Sequence, residues 1–324
     1  MYYIGIDLGG TNLRAGAVAE DGHIIYSKIE PTCAEQGVES VTKHLINCID
    51  HCINHTDSIT TSHNSSKLKG IGIGCPGIID MEKGIIHVSP NLPGWHDVPL
   101  KKLLEERFKV PVYVENDANT VAFGEKAFGA GRNASSLVCL TLGTGIGGGI
   151  ILDGKIWHGC KGMAGEVGHM TIIHDGIRCN CGNRGCLEAY ASATALVNFT
   201  VDSLKQGDES ILSQVIERGE EITAEIIYKA AMDRDSLSLR LLQQTGRYLG
   251  IGIATLINLL NPEMIILGGG MAHSWDMFYP AMAEEIKERA FDIPAASAQI
   301  VKAQLGNDAG ILGAAALIAQ AVAE

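Results

Sequence analysis

Short apolar runs punctuated by glycine recur along the chain, and they predict strands. Tyr2–Leu8 is rich in β-formers and closes on Asp7-Leu8-Gly9-Gly10-Thr11-Asn12, after which residues 14–18 resume a strand-like pattern. The pattern predicts a strand–turn–strand hairpin and not a strand–loop–helix. Leu137–Leu142 repeats the design, running into Gly143-Thr144-Gly145-Ile146-Gly147-Gly148-Gly149 and a further strand at residues 150–152. Thr11 and Thr144 head corresponding turns, so the chain reads as two related lobes made by internal duplication. Buried-type strands are also predicted at residues 70–74, 110–114 and 264–267. Helical spacing covers residues 38–53, 122–128, 189–204, 222–232, 237–260, 277–290 and 309–322. Asn261-Pro262 stops the long helix before it. The polar tract at residues 54–69 reads as a surface loop, and the small-residue helix at the end should pack tightly against the N-terminal lobe.

The turns carry the first candidate chemistry. A Walker loop needs Gly-Lys-Ser/Thr opening a helix, and a dinucleotide fingerprint needs G-x-G-x-x-G before a helix; these hairpins offer neither. Glycines here let backbone N–H groups approach phosphate oxygens, with Thr11 and Asn12 adding donors. An ordinary tight β-turn explains the same residues. Asp7 stands where it could hold Mg²⁺, directly or through water. Asp117, in Glu115-Asn116-Asp117-Ala118-Asn119, follows a strand and precedes a helix. That position suits a general base toward a hydroxyl group, and it equally suits a helix N-cap. Asn91, in Ser89-Pro90-Asn91-Leu92-Pro93-Gly94-Trp95, reads as a hydroxyl-binding amide or as a turn former. Gly268, Gly269 and Gly270 after a strand allow close approach to a planar or phosphate group, or simply make a tight turn.

Residues 159–188 hold a more specific signal. Gly165, Glu166, Gly168 and His169 form Gly-Glu-x-Gly-His, and Cys179, Cys181 and Cys186 follow as C-x-C-x4-C. Three thiols and one imidazole make a complete Cys₃His tetrahedral set, which suits a structural Zn²⁺ and leaves no open position. Glu166 and Glu188 bracket the loop that the ion would fix. Cys160 is assigned to packing and not to the metal.

Composition narrows the class. Lys plus Arg number 25 against 37 Asp plus Glu, a net charge of −12, which argues against a nucleic-acid or anionic-membrane partner. Nine cysteines, an odd number clustered once, read as reduced thiols plus a metal site. The start YYIGIDLGG has no basic n-region, and no apolar run is read as reaching the roughly 18 residues of a membrane span. The expectation is a cytoplasmic protein.

DLGGTNLRAG, CPG, PNL, ENDAN, LGTGIGGGI, GEVGH, CNCGNRGCLE and ILGGG, which together span essentially the whole chain, resemble the ROK sugar kinases. That family lies within the actin/hexokinase-like ATPases, and length and motif order look most like its bacterial glucokinases. The resemblance implies an α/β, two-lobed actin/hexokinase-like (ribonuclease H-like) ATPase fold with an interlobe cleft. Its lobes would be residues 1–120 plus 307–324, and 121–306. It implies ATP-dependent phosphorylation of the 6-hydroxyl of glucose, with Asp117 as the base and Asn91, Asn116, Asp117, Glu166, His169 and Glu188 on the sugar. Gly9, Gly10, Thr11, Asn12, Gly143, Thr144, Gly145 and Gly147 would hold ATP phosphates, Asp7 would place Mg²⁺, and Gly268, Gly269 and Gly270 would lie near the adenosine. His169 would bind zinc through one ring nitrogen and donate to the sugar through the other. Other hexoses of the family (N-acetylmannosamine, N-acetylglucosamine, fructose, allose) keep the same motifs. Family members are commonly dimers or tetramers, so a homodimer or homotetramer is expected. ROK repressors carry a helix-turn-helix domain in front of the shared part; with the first phosphate strand at Tyr2, a sugar-responsive regulator is the less expected outcome.

Overall fold

The computed structural model describes residues 1–60 and 67–323. The first elements in chain order are β1 (Tyr2–Leu8), β2 (Asn12–Ala19), β3 (Ile24–Pro31), α1 (Gly37–Thr60) and β4 (Leu68–Cys75). Next come β5 (Ile78–Asp80), β6 (Ile85–Val88), β7 (His96–Val98), α2 (Leu100–Phe108), β8 (Val112–Asn116) and α3 (Asp117–Ala127). They are followed by β9 (Leu137–Leu142), β10 (Ile146–Leu152), β11 (Lys155–Ile156), α4 (Glu188–Ala191), α5 (Ala193–Lys205), α6 (Ser213–Glu217) and α7 (Ala224–Met232). The chain closes with α8 (Ser236–Leu260), β12 (Met264–Gly268), α9 (Trp275–Arg289), α10 (Asp292–Ser297), β13 (Gln299–Lys302) and α11 (Ala309–Ala323).

Contacts divide the chain into two units: Met1–Ser135, Gly149–Gly165 and Gln304–Glu324 form the first, Ser136–Gly148 and Glu166–Ala303 the second. A cut at residue 120 would divide α3. The helix stays whole in the first unit because α11 lies on it so closely that a Cβ on Gly124 or Gly313 would strike the carbonyl of Ala309 or Thr120. Residues 149–165 stay there too, with Gly149 against Ala118 and Ala122.

In the first unit five strands run β3-β2-β1-β4-β8. β1 is antiparallel to β2, and β2 to β3, while β1, β4 and β8 are parallel. The period of two sorts β1 onto two faces. Ile4, Ile6 and Leu8 share a core with Val41, Leu45, Ile49 and Cys52 of α1. On the other face Tyr3 joins Ile311, Leu312 and Ala315 of α11. There Gly5 and Gly72 carry no side chain because the α11 backbone occupies the space: a Cβ on either would collide with the carbonyl of Ile311 or Ala314. The small-residue helix thus packs on the strands that begin the chain. Its window Gly306–Ala323 does reach 18 residues at a mean hydropathy of 1.2, contrary to the sequence reading, and half of it is buried in the protein.

The tract expected as a loop from residue 54 is instead helical through Thr60. Cys52 and Thr56 continue the buried face, and Tyr2 Oη donates to Asp57 Oδ1 at 3.2 Å. Leu68 and Lys69 already belong to β4, the Lys67 carbonyl accepts from Tyr2 N–H at 3.3 Å, and residues 61–66 of the tract lie outside the described residues. The short antiparallel sheet β5-β6-β7 has no counterpart in the sequence reading.

The second sheet runs β11-β10-β9-β12-β13, with the division between units falling inside β10. β12 is parallel to both β9 and β13, and β11 folds back antiparallel on β10. Strand for strand this is the order of the first sheet, as duplication predicts. α8 and α9 cross closely where Gly250 meets the Met282 carbonyl. α8 ends as expected, with Asn261 left-handed at φ 44° and Pro262 after it.

Candidate functional site

In an open parallel sheet, side chains at the carboxyl ends of the strands are the ones free to meet a ligand. In the first unit β1 ends at Asp7 and Leu8, β4 at Gly74 and Cys75, and β8 at Glu115 and Asn116. The register sets Asp7 beside Gly74 and Cys75 beside Asn116. Asp7 and Asp117 therefore emerge on either side of the end of β4. Burial and, after it, the Asp117 carboxylate raise the Asp7 pKa from 3.8 to about 6, while Arg14, its partner across the hairpin, pulls the other way. The Cys75 thiol between them is pushed well above its ordinary value by burial, with Asp117 and Asp7 adding to it.

The hairpin turn is closed by Gly9 N–H donating to the Asn12 carbonyl at 2.9 Å. Thr32 holds it from the side: its Oγ1 donates to the Gly9 carbonyl at 2.6 Å, and its N–H to the Thr11 carbonyl at 2.9 Å. Thr11 and Asn12 are exposed. Gly10 is excused a side chain by Asn91, whose carbonyl would sit 2.8 Å from its Cβ, so the Asn91 loop and the first turn are neighbours.

At the β8–α3 junction the cap is Asn116 and not Asp117. Asn116 Oδ1 accepts from the N–H of Ala118 at 3.0 Å and of Asn119 at 3.2 Å, satisfying two of the donors that a helix start leaves open. Asp117 is the first helical residue, half-buried, with Oδ1 2.9 Å from its neighbour's N–H. Beneath it lies a residue that the sequence reading passed over. Glu115 is fully buried, its Oε1 accepting from Asn116 N–H at 2.8 Å and Asn119 Nδ2 at 3.0 Å. Its Oε2 meets His158 Nε2 at 2.8 Å. Glu125 is a second overlooked carboxylate, fully buried and accepting from the N–H groups of Ala130, Gln304 and Leu305.

In the second unit Gly143 N–H donates to the Gly145 carbonyl at 2.9 Å. Three contacts brace this turn. Ala193 N–H donates to the Gly143 carbonyl and Thr194 Oγ1 to the Thr144 carbonyl, both at 2.8 Å. Glu188 Oε2 accepts from Ile146 N–H at 2.8 Å. Gly145 lies under the Glu188 carboxylate, so a side chain there would displace it, whereas Gly143 faces open space. Gly269 needs its glycine for geometry: φ is +83° and the Leu142 backbone leaves no room for a Cβ. Gly270 faces open space, like Gly143.

The cysteine loop folds as a tight knuckle. Gly182 N–H donates to the Cys179 carbonyl at 3.0 Å, a turn that Gly182 permits at φ +95°. Cys186 bridges to Thr171 on the other arm. Ligand atoms of His169, Cys179, Cys181 and Cys186 all lie within 4.8 Å of one another. Zn–S near 2.3 Å and Zn–N near 2.0 Å at tetrahedral angles require about 3.8 Å between sulfurs and about 3.5 Å from sulfur to nitrogen. Cys181 Sγ and Cys186 Sγ are 3.7 Å apart, and Cys179 Sγ lies 3.8 Å from His169 Nδ1. The donor set fits the ion. Burial pushes the Cys186 thiol up to about 12 and raises Cys179, while the Asn183 N–H lowers Cys181. A dication is what would turn the buried pair into thiolates. With Nδ1 toward the thiols, the opposite ring nitrogen Nε2 faces Glu166, 3.9 Å from its Oε2. Cys160 is outside the cluster as expected, but it is exposed and does not pack.

The sequence profile of the ROK family matches residues 3–321. The chain belongs to the ROK family. A ROK relative named glucokinase, from Halalkalibacterium halodurans, is 39% identical over 322 residues, 98% of this chain and 95% of that protein. A xylose repressor from Caldicellulosiruptor bescii is 35% identical over 97% of this chain and 77% of its own length. Among solved structures, a ROK glucokinase from Streptomyces griseus in complex with glucose and AMPPNP superposes with a TM-score of 0.81 at 33% identity, over 99% of this chain and all of that one. A ROK family transcriptional regulator, a homologue of an Escherichia coli protein, does so with a TM-score of 0.89 at 30% identity, over 99% of this chain and 78% of that one. The fold of this ROK chain is the two-lobed α/β actin-like one.

The sequence-predicted residues of this ROK protein fall into two sets. Asp7, Gly9, Gly10, Thr11, Asn12, Asn91, Asn116 and Asp117 lie in the first unit. Gly143, Thr144, Gly145, Gly147, Glu166, His169, Cys179, Cys181, Cys186, Glu188, Gly268, Gly269 and Gly270 lie in the second. Glu115 opens the Glu115-Asn116-Asp117-Ala118-Asn119 run, and its adjacency to Asn116 was its one sequence signal. His158 had none, because 43 residues separate it from Glu115.

Proposed function

We propose that this ROK protein is a sugar kinase, transferring a phosphoryl group from ATP to the 6-hydroxyl of glucose. The observation that carries the reading is the placement of Asp117: half-buried at the start of α3, fixed by Asn116 and Glu115, and near enough to Asp7 to raise its pKa. Phosphoryl transfer to an alcohol asks a protein mainly for positioning and charge stabilisation. Asp117 accepts the hydroxyl proton as the oxygen attacks. The N–H groups and hydroxyls of Gly9, Gly10, Thr11, Asn12, Gly143, Thr144, Gly145 and Gly147 bind phosphate oxygens. Gly268, Gly269 and Gly270 lie along the adenosine. Asp7 holds Mg²⁺, which when bound neutralises charge on the transferring phosphate. Burial first and the Asp117 carboxylate second disfavour the charge on Asp7, and a dication at that carboxylate would offset both.

Asn91, Asn116, Glu166, His169 and Glu188 hold the other sugar hydroxyls. His169, Cys179, Cys181 and Cys186 hold a structural zinc whose role is to fix the loop. With Nδ1 committed to that cluster, His169 keeps Nε2 as the donor for the sugar. Glucose is favoured over other hexoses by the glucokinase relatives.

A coupled ADP-release assay with Mg-ATP over a sugar panel, with Asp117→Asn alongside, tests the reading. Strong glucose turnover lost in the variant is the expected result. Turnover only on an N-acetylated or keto sugar would move the substrate and keep the mechanism. A second reading, a sugar-responsive regulator, draws on the likeness to ROK regulators, and sugar binding without turnover on any sugar would favour it.

A further inference from the structure

His158 stands outside the residues assigned above, yet it touches the support of the proposed base. Its Nε2 lies 2.8 Å from Glu115 Oε2, and a carboxylate oxygen only accepts, so this nitrogen carries the hydrogen. The other oxygen of Glu115 takes the N–H of Asn116 and the side-chain amide of Asn119. Asn116 in turn caps α3 through Ala118 and Asn119, on both sides of Asp117. A chain of bonds thus runs from His158 through a fully buried carboxylate to the backbone that carries Asp117. The three donors on Glu115 come from three places, β8, α3 and the segment after β11, and His158 is the one that lies far away in sequence.

His158 is also reachable. It is partly exposed, 28% against 1% for the Glu115 side chain. It lines a cavity of about 230 Å³ together with Tyr113, Phe123, Lys155 and Leu317. Two of those walls, Tyr113 and Phe123, belong to β8 and α3, the elements whose junction holds Asp117.

We infer that His158 is a positioning residue for Asp117: its N–H fixes Glu115, and Glu115 fixes the β8–α3 junction in the geometry that proton transfer needs. This rests on the reading of Asp117 as the base in sugar phosphorylation. A base displaced by an ångström costs on the order of 100-fold in rate, so loss of the bond should appear in kcat and leave sugar affinity nearly unchanged.

The cavity supplies the decisive experiment. His158→Ala removes the donor and opens a hole of imidazole size onto existing space. Its kcat on the preferred sugar should fall about 10- to 100-fold, with the sugar KM within about twofold. Added imidazole should restore kcat saturably, while sodium chloride at equal ionic strength should not. His158→Gln, which keeps an N–H donor at about the same reach from the backbone, should retain most of kcat. A purely structural role predicts instead a lowered Tm with losses in both variants and no imidazole rescue, and that result would overturn the inference.

A second readout needs no turnover. In ¹⁵N spectra the amides of Asn116, Asp117 and Ala118 should shift in His158→Ala and return with imidazole. Unmoved amides would refute the positioning role even in a fully active enzyme. Amides that move and return in a protein whose unsubstituted form phosphorylates no sugar would uphold the bond chain and overturn the kinase reading alone.

Discussion

Glu188 Oε2 accepts a 2.8 Å hydrogen bond from the N–H of Ile146, so the residue that opens α4, two positions after the last cysteine of the cluster, holds the strand leaving the second glycine turn. The same carboxylate lies 3.9 Å from Cys179 Sγ. Because Glu188 follows Cys186 by two residues, the cysteine loop and the proposed phosphate turn are joined through this one residue. Losing a hydrogen bond to a charged acceptor costs about 1.5–3 kcal/mol. Glu188→Ala should raise the KM for ATP at least about tenfold alongside the sugar KM, and Glu188→Gln, which keeps an acceptor oxygen, should raise the ATP value much less. Steady-state kinetics in both substrates check this; a change confined to the sugar would show that the brace is idle.

Asp117→Asn keeps the shape of the junction and removes the proton acceptor. Its kcat should fall by about 10²–10⁴, while glucose binding by calorimetry stays within a few-fold. Equal losses of binding and turnover would reassign Asp117 to holding the sugar.

Cys181→Ser replaces one donor of the Cys₃His cluster. Metal analysis should find about one zinc per chain in the unsubstituted protein and well below that in the variant, with Tm and sugar affinity falling together. A variant with full zinc and unchanged affinity would detach the cluster from the site.

Asp7 makes a prediction in pH. Its pKa rises on folding from 3.8 to about 6, chiefly through burial and then through Asp117. The stability that it contributes is fully present below about pH 4 and is lost as pH rises through 6, because above that the folded state holds a carboxylate its surroundings disfavour. Asp7→Asn should therefore stabilise the protein at pH 8, by an amount of order 3 kcal/mol, and change little at pH 4. Thermal melts of both proteins at the two pH values check the sign. The same variant should lose Mg²⁺-dependent activity, the expected pattern where a strained charge serves function.

The elements that could be read from the sequence share a local signature. Both hairpins were legible because glycine turns end apolar runs abruptly, and the cysteine cluster because its last three ligands lie within eight residues. The continuation of α1 was not, since Asn54, His55 and Asp57 look like loop residues until Tyr2 is seen reaching Asp57. β5, β6 and β7 have only three or four residues each, too few to display a period. Asp and Asn before a helix left the cap ambiguous; geometry gives it to Asn116. The pairing of Glu115 with His158 is a product of tertiary structure alone.

The seating of α11 has a consequence for the order of events during synthesis. β1 and β4 leave the ribosome early, but Gly5 and Gly72 have nothing to close against until Ile311 and Ala314 exist. At roughly 5–20 residues per second, the interval from β4 to α11 is about 10–50 s. Throughout it one face of the first sheet stays open, while the second unit, residues 136–148 and 166–303, emerges in full and can fold ahead of it. The nascent chain thus completes its first-made half last, and that exposed face is the surface a chaperone at the ribosome would meet.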